Sequence, residues 1–427
     1  MALLAFYRLA AQLAAPFAER ALRLRAAMGK EDPLRLRERL GQASRERPSG
    51  ALIWLHGASL GESLSLLPLI DRLIQRGANV LVTTATVSAA QTLGARLPAG
   101  AFHQFAPLDA PVFVARFLDH WRPDLAIFAE SELWPNMIAE LKPRKTPFIV
   151  ANARISEKSL ARWRRAPRAA RTVFGAIDAC LAQDEENAAR FAALGAPRVA
   201  VVGNLKFDVA APPVDAARLA EFVAAIGARP VWVAASIHPG EIDVLLAAHT
   251  ELLGRLPGLL AVFVPRHAEA GPAILDEAHK RGLAAGLRSR GAKPTRDLDI
   301  YVADTTGELG LIFRAAAVVF MGKSLAGGPT GAGGGQNPIE PARLGCVALH
   351  GPHVENFRAV YAALAANRAT IEVQDAATLA DAVYYLLAEP ARLRRMGRAG
   401  AATVERFGGA SRAIMAALEP YLTPPGR

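Results

Sequence analysis

Residues 54–63 read WLHGASLGES, an apolar segment that runs into a turn of small residues and then into a segment typical of a helix. In α/β proteins, such strand-to-helix turns lie at the carboxyl edge of a parallel sheet, where main-chain amides and side chains converge on ligands. Glu62 stands at the mouth of this turn and is therefore a candidate general base. Ser59 and Glu62 also have the S-x-x-E spacing of a helix capping box, so a structural role for the pair remains open.

Short apolar runs alternate with helical segments along both halves of the chain. This alternation predicts an α/β protein in which each half has a parallel sheet flanked by helices. The predicted strands are 51–55, 79–83, 125–128, 147–152, 179–182 and 199–202 in the first half, and 230–234, 259–264, 298–302, 317–321, 346–349 and 370–373 in the second. Two similar halves imply a cleft that binds ligands from both sides.

The predicted domain organisation has four parts. They are an N-terminal helix with a basic segment (1–48), a first Rossmann-like domain (49–208), a linker with two prolines (209–213) and a second Rossmann-like domain (214–427). Consecutive prolines continue neither a helix nor a strand, which favours a linker there. The last helix is expected to pack either within the second domain or back on the first.

The amino-acid composition restricts the chemical class of the molecule that the protein binds. A formal charge of +11 predicts attraction to an anion. Aromatic residues make up only 7%, and neither zinc-type Cys/His spacing nor a basic segment interleaved with aromatics occurs, which argues against nucleic acid. A phosphorylated or lipidic partner remains. Cys180 and Cys346 lie in apolar surroundings typical of reduced core cysteines, which favours a reducing, cytosolic compartment.

Residues 1–25 carry apolar side chains at roughly helical spacing, interrupted by Arg8, Glu19 and Arg20. This pattern predicts an amphipathic helix that lies on an anionic membrane surface rather than crossing it. The alternative is a helix that packs on a domain and is followed by a solvated basic linker. A second basic stretch, Arg154 to Arg171, is either a solvated helix or a docking surface for phosphates.

Two acidic residues, Glu130 and Glu132, follow the predicted strand 125–128. Two carboxylates this close should not both be buried and ionised without a partner. Lys206, just past the strand 199–202, is a candidate for that partner.

In the second half, strand ends carry residues suited to a phosphate or a ribose. Arg266 follows the strand 259–264 and offers a fixed cation, although a solvated arginine is the structural alternative. The main-chain amides of residues 307–309 would hold a phosphate at a helix start, unless Thr305 and Glu308 merely form a capping box. His238 follows the strand 230–234 and either faces the cleft or has a structural role.

Residues 337–340 read NPIE and follow a glycine-rich run at 327–335 that must be flexible or wrap something closely. Asn337 is expected as the N-cap of a helix and Pro338 as its first residue. Glu340 could then accept hydrogen bonds from ribose hydroxyls. The combination is typical of a ligand loop.

Eight motifs, taken together and in this order, resemble the 3-deoxy-D-manno-octulosonic acid (Kdo) transferases of lipid A assembly over nearly the whole chain. The motifs are His56 to Glu62, Glu130 to Asn136, Gly203 to Asp208, His238 to Glu241, Val264 to His267, Asp304 to Leu309, Asn337 to Glu340, and Gly351-Pro352-His353 with Asn356-Phe357. In family members the glycine segment before the Asn-Pro pair is usually shorter and often GGHNP-like, whereas here it is longer and ends in Gln336.

The resemblance implies a glycosyltransferase fold of the B type, in which the first domain binds the acceptor and the second binds a CMP-sugar. It implies a CMP-Kdo donor, a tetraacylated lipid A precursor as acceptor, inversion at the anomeric carbon, and attachment to the cytoplasmic side of the inner membrane. Glu62 matches the proton acceptor, and Glu132, Glu130 and Lys206 match groups that stabilise the transition state. The donor contacts would be Pro265, Arg266, His267, Gly307, Glu308, Leu309, Asn337, Pro338, Ile339 and Glu340, with further donor or acceptor contacts at His56, Ser59, Gly61, His238 and Ser324.

Asp297 and Asp299 are the one Asp-x-Asp pair in the sequence, and no such pair suited to a nucleotide-bound Mg²⁺ occurs, so we expect neither a metal at the transfer site nor a cofactor. Two other hypotheses remain. One is a different nucleotide-sugar enzyme of the same fold, either an epimerase or a transferase with another donor. The other is a non-catalytic protein that binds anionic lipid on a membrane surface.

Overall fold

The computed structural model describes residues 2–211, 214–325 and 334–422. Pro212 and Pro213 of the predicted linker, and the glycine-rich run except Gly334 and Gly335, therefore lie outside the described residues. The chain forms two compact units, one from the described residues of Met1–Val209 and Phe407–Arg427, the other from Ala210–Arg406. Each unit contains a seven-stranded sheet.

The sheet of the first unit is parallel throughout and has the strand order β3-β2-β1-β4-β5-β6-β7. Its strands are β1 (Leu52–His56), β2 (Asn79–Thr84), β3 (Ala101–Phe105), β4 (Leu125–Ala129), β5 (Phe148–Ala153), β6 (Ala179–Ala182) and β7 (Val199–Val201). The strand β1 is buried over its whole length because helices cover both faces of the sheet. Trp54 packs into the core on one face, and Ile53 and Leu55 pack into the core on the other.

Eleven helices precede or separate these strands. They are α1 (Ala2–Ala14), α2 (Ala18–Ala27), α3 (Leu36–Arg39), α4 (Leu60–Ser65), α5 (Leu67–Gln75), α6 (Val87–Gly94), α7 (Pro111–Trp121), α8 (Pro135–Leu141), α9 (Glu157–Arg164), α10 (Pro167–Phe174) and α11 (Glu185–Leu194). A single 3₁₀ turn, Leu205–Phe207, follows β7 and carries Lys206.

The sheet of the second unit is also parallel and has the order β10-β11-β9-β8-β12-β13-β14. Its strands are β8 (Val231–Ile237), β9 (Leu260–Pro265), β10 (Ala285–Leu287), β11 (Ile300–Val302), β12 (Val318–Met321), β13 (Val347–His350) and β14 (Thr370–Glu372). On β8, Trp232 and Ala234 pack into one core, whereas Val233 and Ala235 pack into the core on the opposite face.

The helices of the second unit are α12 (Ala216–Ile226), α13 (Ile242–Arg255), α14 (Gly271–Lys280), α15 (Leu309–Ala315), α16 (Ile339–Arg343), α17 (Arg358–Ala366), α18 (Ala376–Ala388) and α19 (Pro390–Arg406). The next helix, α20 (Ala410–Leu422), belongs to the first unit. Its Ile414 and Leu418 join the core that contains Ile70 of α5.

The predicted α/β architecture with two parallel sheets is confirmed. All twelve predicted strands are present, with ends that differ from the prediction by up to three residues. The prediction missed two strands, β3 and β10. The strand β3 contains the polar residues His103 and Gln104, and β10 has only three residues with Gly286 at its centre, so neither shows a run of apolar side chains.

Candidate active site

The strands β1 and β4 are neighbours in the first sheet although two other strands separate them in the sequence. The strand order reverses between them, and ligands of open α/β sheets bind outside the carboxyl ends of the strands at such a point. The turn 57–59 leaves β1 there, and the loop 130–134 leaves β4. The sheet order therefore brings Glu62 and Glu132 to one edge.

A glycine at position 57 allows the turn after β1 to pass closely over α4. A Cβ atom on Gly57 would lie 2.9 Å from the main-chain nitrogen of Ser63 and 3.1 Å from the carbonyl carbon of Glu62. These atoms are main chain and cannot move aside without shifting the helix. The small residue is thus needed to place Glu62 at the sheet edge.

Glu62 and Ser59 form the predicted capping box at the start of α4. The main-chain N–H of Glu62 donates to Oγ of Ser59 at 3.4 Å, and the N–H of Ser59 donates to Oε2 of Glu62 at 3.3 Å. The carboxylate is half-buried, and burial together with the negative charge of Glu132 raises its pKa above the usual value. A carboxylate with a raised pKa is a stronger base once ionised, so the cap and a proton-accepting role are compatible.

His56, the last residue of β1, is only 1% exposed. Its Nδ1 lies 2.9 Å from Oγ1 of Thr83 on the neighbouring strand β2. Its Nε2 has no hydrogen-bond partner among the described residues and lies 3.8 Å from Oε2 of Glu132. The buried imidazole of His56 therefore lies on the protein-interior side of the partly exposed Glu132 carboxylate.

Glu132 has an environment opposite to that of Glu62. Burial favours its neutral form, but the imidazole of His56 and the indole N–H of Trp134, which donates to Oε2 at 2.8 Å, outweigh burial and lower its pKa. The pKa values of Glu62 and Glu132 are thus shifted in opposite directions. Such divergence is typical of sites in which one group exchanges a proton while the other remains charged.

Glu130 and Lys206 form the ion pair that the sequence predicted. The ammonium of Lys206 donates to Oε1 of Glu130 at 2.8 Å, and less than a fifth of either side chain is exposed. Glu130 has a φ angle of +54°, a left-handed conformation that costs free energy for a residue with a side chain. The loop thus begins with a backbone that the surrounding contacts hold in place.

In the second sheet the strand order reverses between β8 and β12. Glu241, only 1% exposed, joins the loops after these two strands, because its carboxylate accepts main-chain N–H groups from both. The donors are His238 at 3.1 Å, Lys323 at 2.7 Å, Ser324 at 2.9 Å and Leu325 at 3.1 Å. Sequence reasoning assigned no role to Glu241, although it is the acid of the motif HPGE.

The hydroxyl of Ser324, a proposed ligand contact, is used within the protein. It donates to the main-chain oxygen of Met321 at 2.5 Å and accepts the N–H of Gly351 at 2.8 Å, and the residue is fully buried. His238 is half-buried, and its Nε2 lies 3.3 Å from the side-chain nitrogen of Gln336. Burial lowers the pKa of His238 and so favours the neutral imidazole.

Pro265, Arg266 and His267 follow the strand β9, next to β8. The side chains of Arg266 and His267 are exposed, and within the described parts of the chain neither has an ion-pair partner. The main-chain N–H of Arg266 donates to the oxygen of Ile237 at 2.9 Å, which ties this turn to the end of β8. A guanidinium at this edge is free to meet a phosphate.

The turn after β11 differs from the predicted capping box. The helix α15 begins at Leu309 with Glu308 as its N-cap, so Thr305 is not the cap residue. Instead, the hydroxyl of Thr305 donates to the carboxylate of Glu308, which also pairs with Arg218 and Arg288. These partners occupy the carboxylate of Glu308, so this carboxylate is not available to a ligand, whereas the main-chain groups of the turn are. Gly307 is exposed with a φ of +87°.

Asn337 is not the N-cap of the next helix, as the sequence predicted. The helix α16 begins at Ile339 with Pro338 as its cap, one residue later than expected. The side-chain oxygen of Asn337 nevertheless accepts the N–H of Ile339 at 3.0 Å and satisfies a free amide of the first turn. Ile339 is 1% exposed, whereas Glu340 is partly exposed.

The helix α1 is amphipathic in the structure. Leu4 packs against the core of the first unit, Tyr7 hydrogen bonds to Asp109, and Arg8 forms an ion pair with Glu140 at 2.7 Å. The opposite side of this helix and the segment after it leave large apolar side chains exposed, namely Leu3, Phe6, Leu9, Leu13, Phe17, Leu24 and Met28. The segment thus packs on its unit and also has a free apolar surface.

Among the described residues, none of the helices is long and apolar enough to cross a membrane. No group of three or more His, Cys, Asp or Glu side chains in those residues is arranged to hold a metal ion.

The fold defines the class of protein. A glycosyltransferase from Rickettsia africae aligns over 88% of this chain and 98% of its own with a TM-score of 0.58 at 11% identity. A UDP-GlcNAc 2-epimerase from Neisseria meningitidis aligns over 86% of this chain and 99% of its own, also with a TM-score of 0.58, at 14% identity. At these identities the likeness shows the fold alone, which is that of B-type glycosyltransferases and their structural relatives.

The sequence relatives are more specific. A family model described as 3-deoxy-D-manno-octulosonic-acid transferase matches residues 34–209. The 3-deoxy-D-manno-octulosonic acid transferase of Haemophilus influenzae is 33% identical over 91% of both chains. A probable mitochondrial transferase of the same name from Arabidopsis thaliana is 35% identical over 88% of this chain and 86% of its own. The chain therefore belongs to the Kdo transferase family and is a glycosyltransferase. This membership does not favour the two other hypotheses, a different nucleotide-sugar enzyme and a non-catalytic lipid-binding protein.

Proposed function

We propose that this Kdo transferase moves Kdo from CMP-Kdo to a hydroxyl of a tetraacylated lipid A precursor, with inversion at the anomeric carbon. Family membership supports the transfer of Kdo. The observation that supports the catalytic assignment is the pair Glu62 and Glu132, which the reversal of strand order brings to one sheet edge with pKa values shifted in opposite directions.

Glu62 acts as the general base in this proposal. A sugar hydroxyl has a pKa far above neutrality, so its attack on the anomeric carbon is faster when a carboxylate takes the proton, typically by about 10²–10⁴-fold. The new bond from the acceptor oxygen forms as the bond from the anomeric carbon to the CMP phosphate breaks. The proton moves to Glu62, and the electron pair of the broken bond leaves with CMP.

The groups around Glu62 would stabilise charge at the reacting centre. Glu132 remains ionised because of His56 and Trp134, and a fixed negative charge stabilises positive character at an anomeric carbon. Lys206 donates a hydrogen bond to Glu130, which lies in the same loop as Glu132, and its ammonium supplies a cation. Glu62, Glu132, Glu130 and Lys206 all belong to the first unit, to which the proposal therefore assigns the acceptor side of the reaction.

The donor would bind to the second unit. Arg266 offers an exposed guanidinium without an ion-pair partner in the described part of the chain, and the exposed main chain at Gly307 and the turn 337–340 line the same edge of the sheet. A guanidinium and main-chain amides can neutralise the charge that develops on departing CMP. His267, Pro265 and Glu340 complete the proposed set of donor contacts.

The acceptor is a lipid, and the protein offers two surfaces suited to the cytoplasmic face of an anionic inner membrane. One is the exposed apolar side of residues 1–25. The other is the stretch Arg154 to Arg171, where Lys158, Arg162, Arg164, Arg165, Arg168 and Arg171 are exposed without ion-pair partners among the residues described. Apolar side chains beside basic ones are typical of peripheral membrane segments.

The test of the catalytic assignment is a measurement of CMP release from CMP-Kdo in the presence and absence of the lipid A precursor. We expect acceptor-dependent release by the native protein and a loss of about 10²-fold or more in Glu62→Gln. Glu185→Gln is the matched control, because Glu185 is an exposed glutamate at the start of a helix in the same unit. Equal rates in Glu62→Gln and native protein would refute the role of Glu62.

The test of membrane binding is sedimentation with vesicles. We expect binding to vesicles that contain anionic phospholipid, less binding to neutral vesicles, and a marked loss in the double variant Phe6→Ser/Leu13→Ser, whose two side chains are exposed on α1. Binding that is independent of both lipid charge and these substitutions would contradict the proposed surface.

A further inference from the structure

The carboxylate of Asp109 connects the N-terminal helix α1 to the beginning of α8. The hydroxyl of Tyr7 donates to Oδ2 of Asp109 at 2.9 Å. The same carboxylate accepts the main-chain N–H of Asn136 at 3.1 Å and that of Met137 at 2.8 Å. The side chain of Asn136 donates in return to the main-chain oxygen of Asp109 at 2.6 Å. Asp109 thus satisfies two free amides in the first turn of α8.

The loop that carries Glu132 ends where α8 begins. Pro135 is the first residue of the helix, and Trp134, its N-cap, donates its indole N–H to Glu132. Asn136 is 2% exposed, so the junction is packed and has little freedom. A hydrogen bond that holds the first turn of α8 therefore also restricts the position of the Glu132 carboxylate.

Tyr7 approaches this junction from outside, because α1 lies on the surface of the first unit. Tyr7 as a residue is 36% exposed. Without it, Asp109 would keep two main-chain donors, and α1 would keep the Arg8 ion pair and the packing of Leu4. The hydroxyl is a third donor to a carboxylate that already accepts two main-chain N–H groups, so the first turn of α8 keeps its main-chain hydrogen bonds when the hydroxyl is removed.

We propose that Tyr7 is a positioning residue, whose hydrogen bond to Asp109 couples the amphipathic helix α1 to the loop that carries Glu132. The enzyme then reaches full turnover only when α1 is seated on its own unit. This inference rests on the proposed function, because it needs Glu132 to act at the reacting centre. It assigns a second role to a segment otherwise expected only to contact lipid.

The experiment compares Tyr7→Phe with Tyr421→Phe in the CMP-release assay, with the acceptor dispersed in detergent. Tyr421 lies on α20 of the same unit, and its hydroxyl contacts Arg198 and the main-chain oxygen of Asp178, both at 3.3 Å. Small displacements of reacting groups cost up to roughly 10²-fold in rate, so we expect kcat of Tyr7→Phe to fall by about 5- to 50-fold. The KM for CMP-Kdo should change by less than about twofold, because ground-state binding of the donor is untouched. Tyr421→Phe should match native protein in both constants.

A double-mutant cycle with Asp109→Asn identifies the partner of the hydroxyl. If Tyr7 acts through Asp109, Tyr7→Phe lowers kcat in the native background and has little further effect in Asp109→Asn. An equal loss in both backgrounds, a full native kcat in Tyr7→Phe, or a loss that appears only in KM would each overturn the inference. An inactive native protein would overturn the proposed function and this inference together, whereas an active native protein with a fully active Tyr7→Phe would overturn the inference alone.

Discussion

Replacing Lys206 by methionine tests the ion pair that anchors the loop after β4. Methionine is close to lysine in length and has no charge, so the substitution leaves the carboxylate of Glu130 partly buried without its 2.8 Å partner. In the native protein Glu130 has a left-handed backbone conformation, and its ion pair with Lys206 helps to stabilise that conformation. The variant therefore removes the ion pair at a position with a strained backbone.

The expected magnitude follows from the burial of the pair. Breaking a fully buried ion pair costs about 3–5 kcal/mol, whereas an exposed pair contributes about 0–1 kcal/mol. The two side chains here are 19% and 13% exposed. An intermediate loss of about 1–3 kcal/mol in the free energy of unfolding is expected for Lys206→Met. The double variant Glu130→Gln/Lys206→Met should recover much of this loss, because no unpaired charge remains.

Urea unfolding followed by tryptophan fluorescence measures this loss. Four of the five tryptophans (Trp54, Trp121, Trp134 and Trp163) lie in the first unit, so the signal reports mainly on the unit that contains the ion pair. Lys158→Met is the matched control, because Lys158 is exposed and without an ion-pair partner in the described residues. Catalytic activity should not recover in the double variant, since the cation proposed for the reacting centre is still missing. An unfolding midpoint for Lys206→Met equal to that of Lys158→Met would refute the reasoning.

The remaining predictions concern the candidate base Glu62, the turn before it and the two cysteines. The acid limb of the kcat profile should lie at higher pH than an ordinary glutamate gives, because burial and Glu132 raise the pKa of Glu62 and the base form is lost as pH falls through that value. Ser59→Ala should move the limb further upward, since the side-chain hydrogen bond of Ser59 lowers that pKa and the substitution removes it, while the main-chain N–H of residue 59 still donates to Glu62. A downward movement would contradict the assignment. Gly57→Ala should lower kcat by about tenfold or more through displacement of α4, as steady-state assays would measure, and an unchanged kcat would show that the helix tolerates the Cβ. Cys180 and Cys346, whose burial raises the pKa of each thiol to about 12, should react with a thiol reagent in urea but not in buffer, and rapid labelling of native protein would contradict their burial.

The sequence predicts the architecture well because buried parallel strands are continuous apolar runs. The sequence does not predict β3, which has two polar side chains, or β10, which has only three residues, because neither strand is a continuous apolar run. The candidate base and its cap were both predictable from the turn 57–62, since capping is local. Their coexistence was not, because it depends on the half-buried position of the carboxylate.

Contacts between distant segments were beyond sequence reasoning. Thr83 meets His56 only because β2 lies beside β1, and Asp109 meets Asn136 across 27 residues. The alternative of a capping box between Thr305 and Glu308 was wrong for the same reason, since Arg218 and Arg288, which pair with the carboxylate of Glu308, come from other elements of the second unit. Spacing in the chain indicates local caps but not which arginine folds back onto them.

The return of the chain to the first unit has a consequence for biosynthesis. Residues 407–422 complete that unit: Asp208 accepts the N–H groups of Gly409 and Ser411, both at 2.6 Å, and α20 covers apolar side chains of α5. A ribosome releases the N-terminal part first, yet this part lacks its covering helix until almost the whole sequence has been translated. We therefore expect nascent chains that end before residue 407 to bind chaperones through this uncovered surface, and truncated products to be degraded rather than accumulate as a stable half-enzyme.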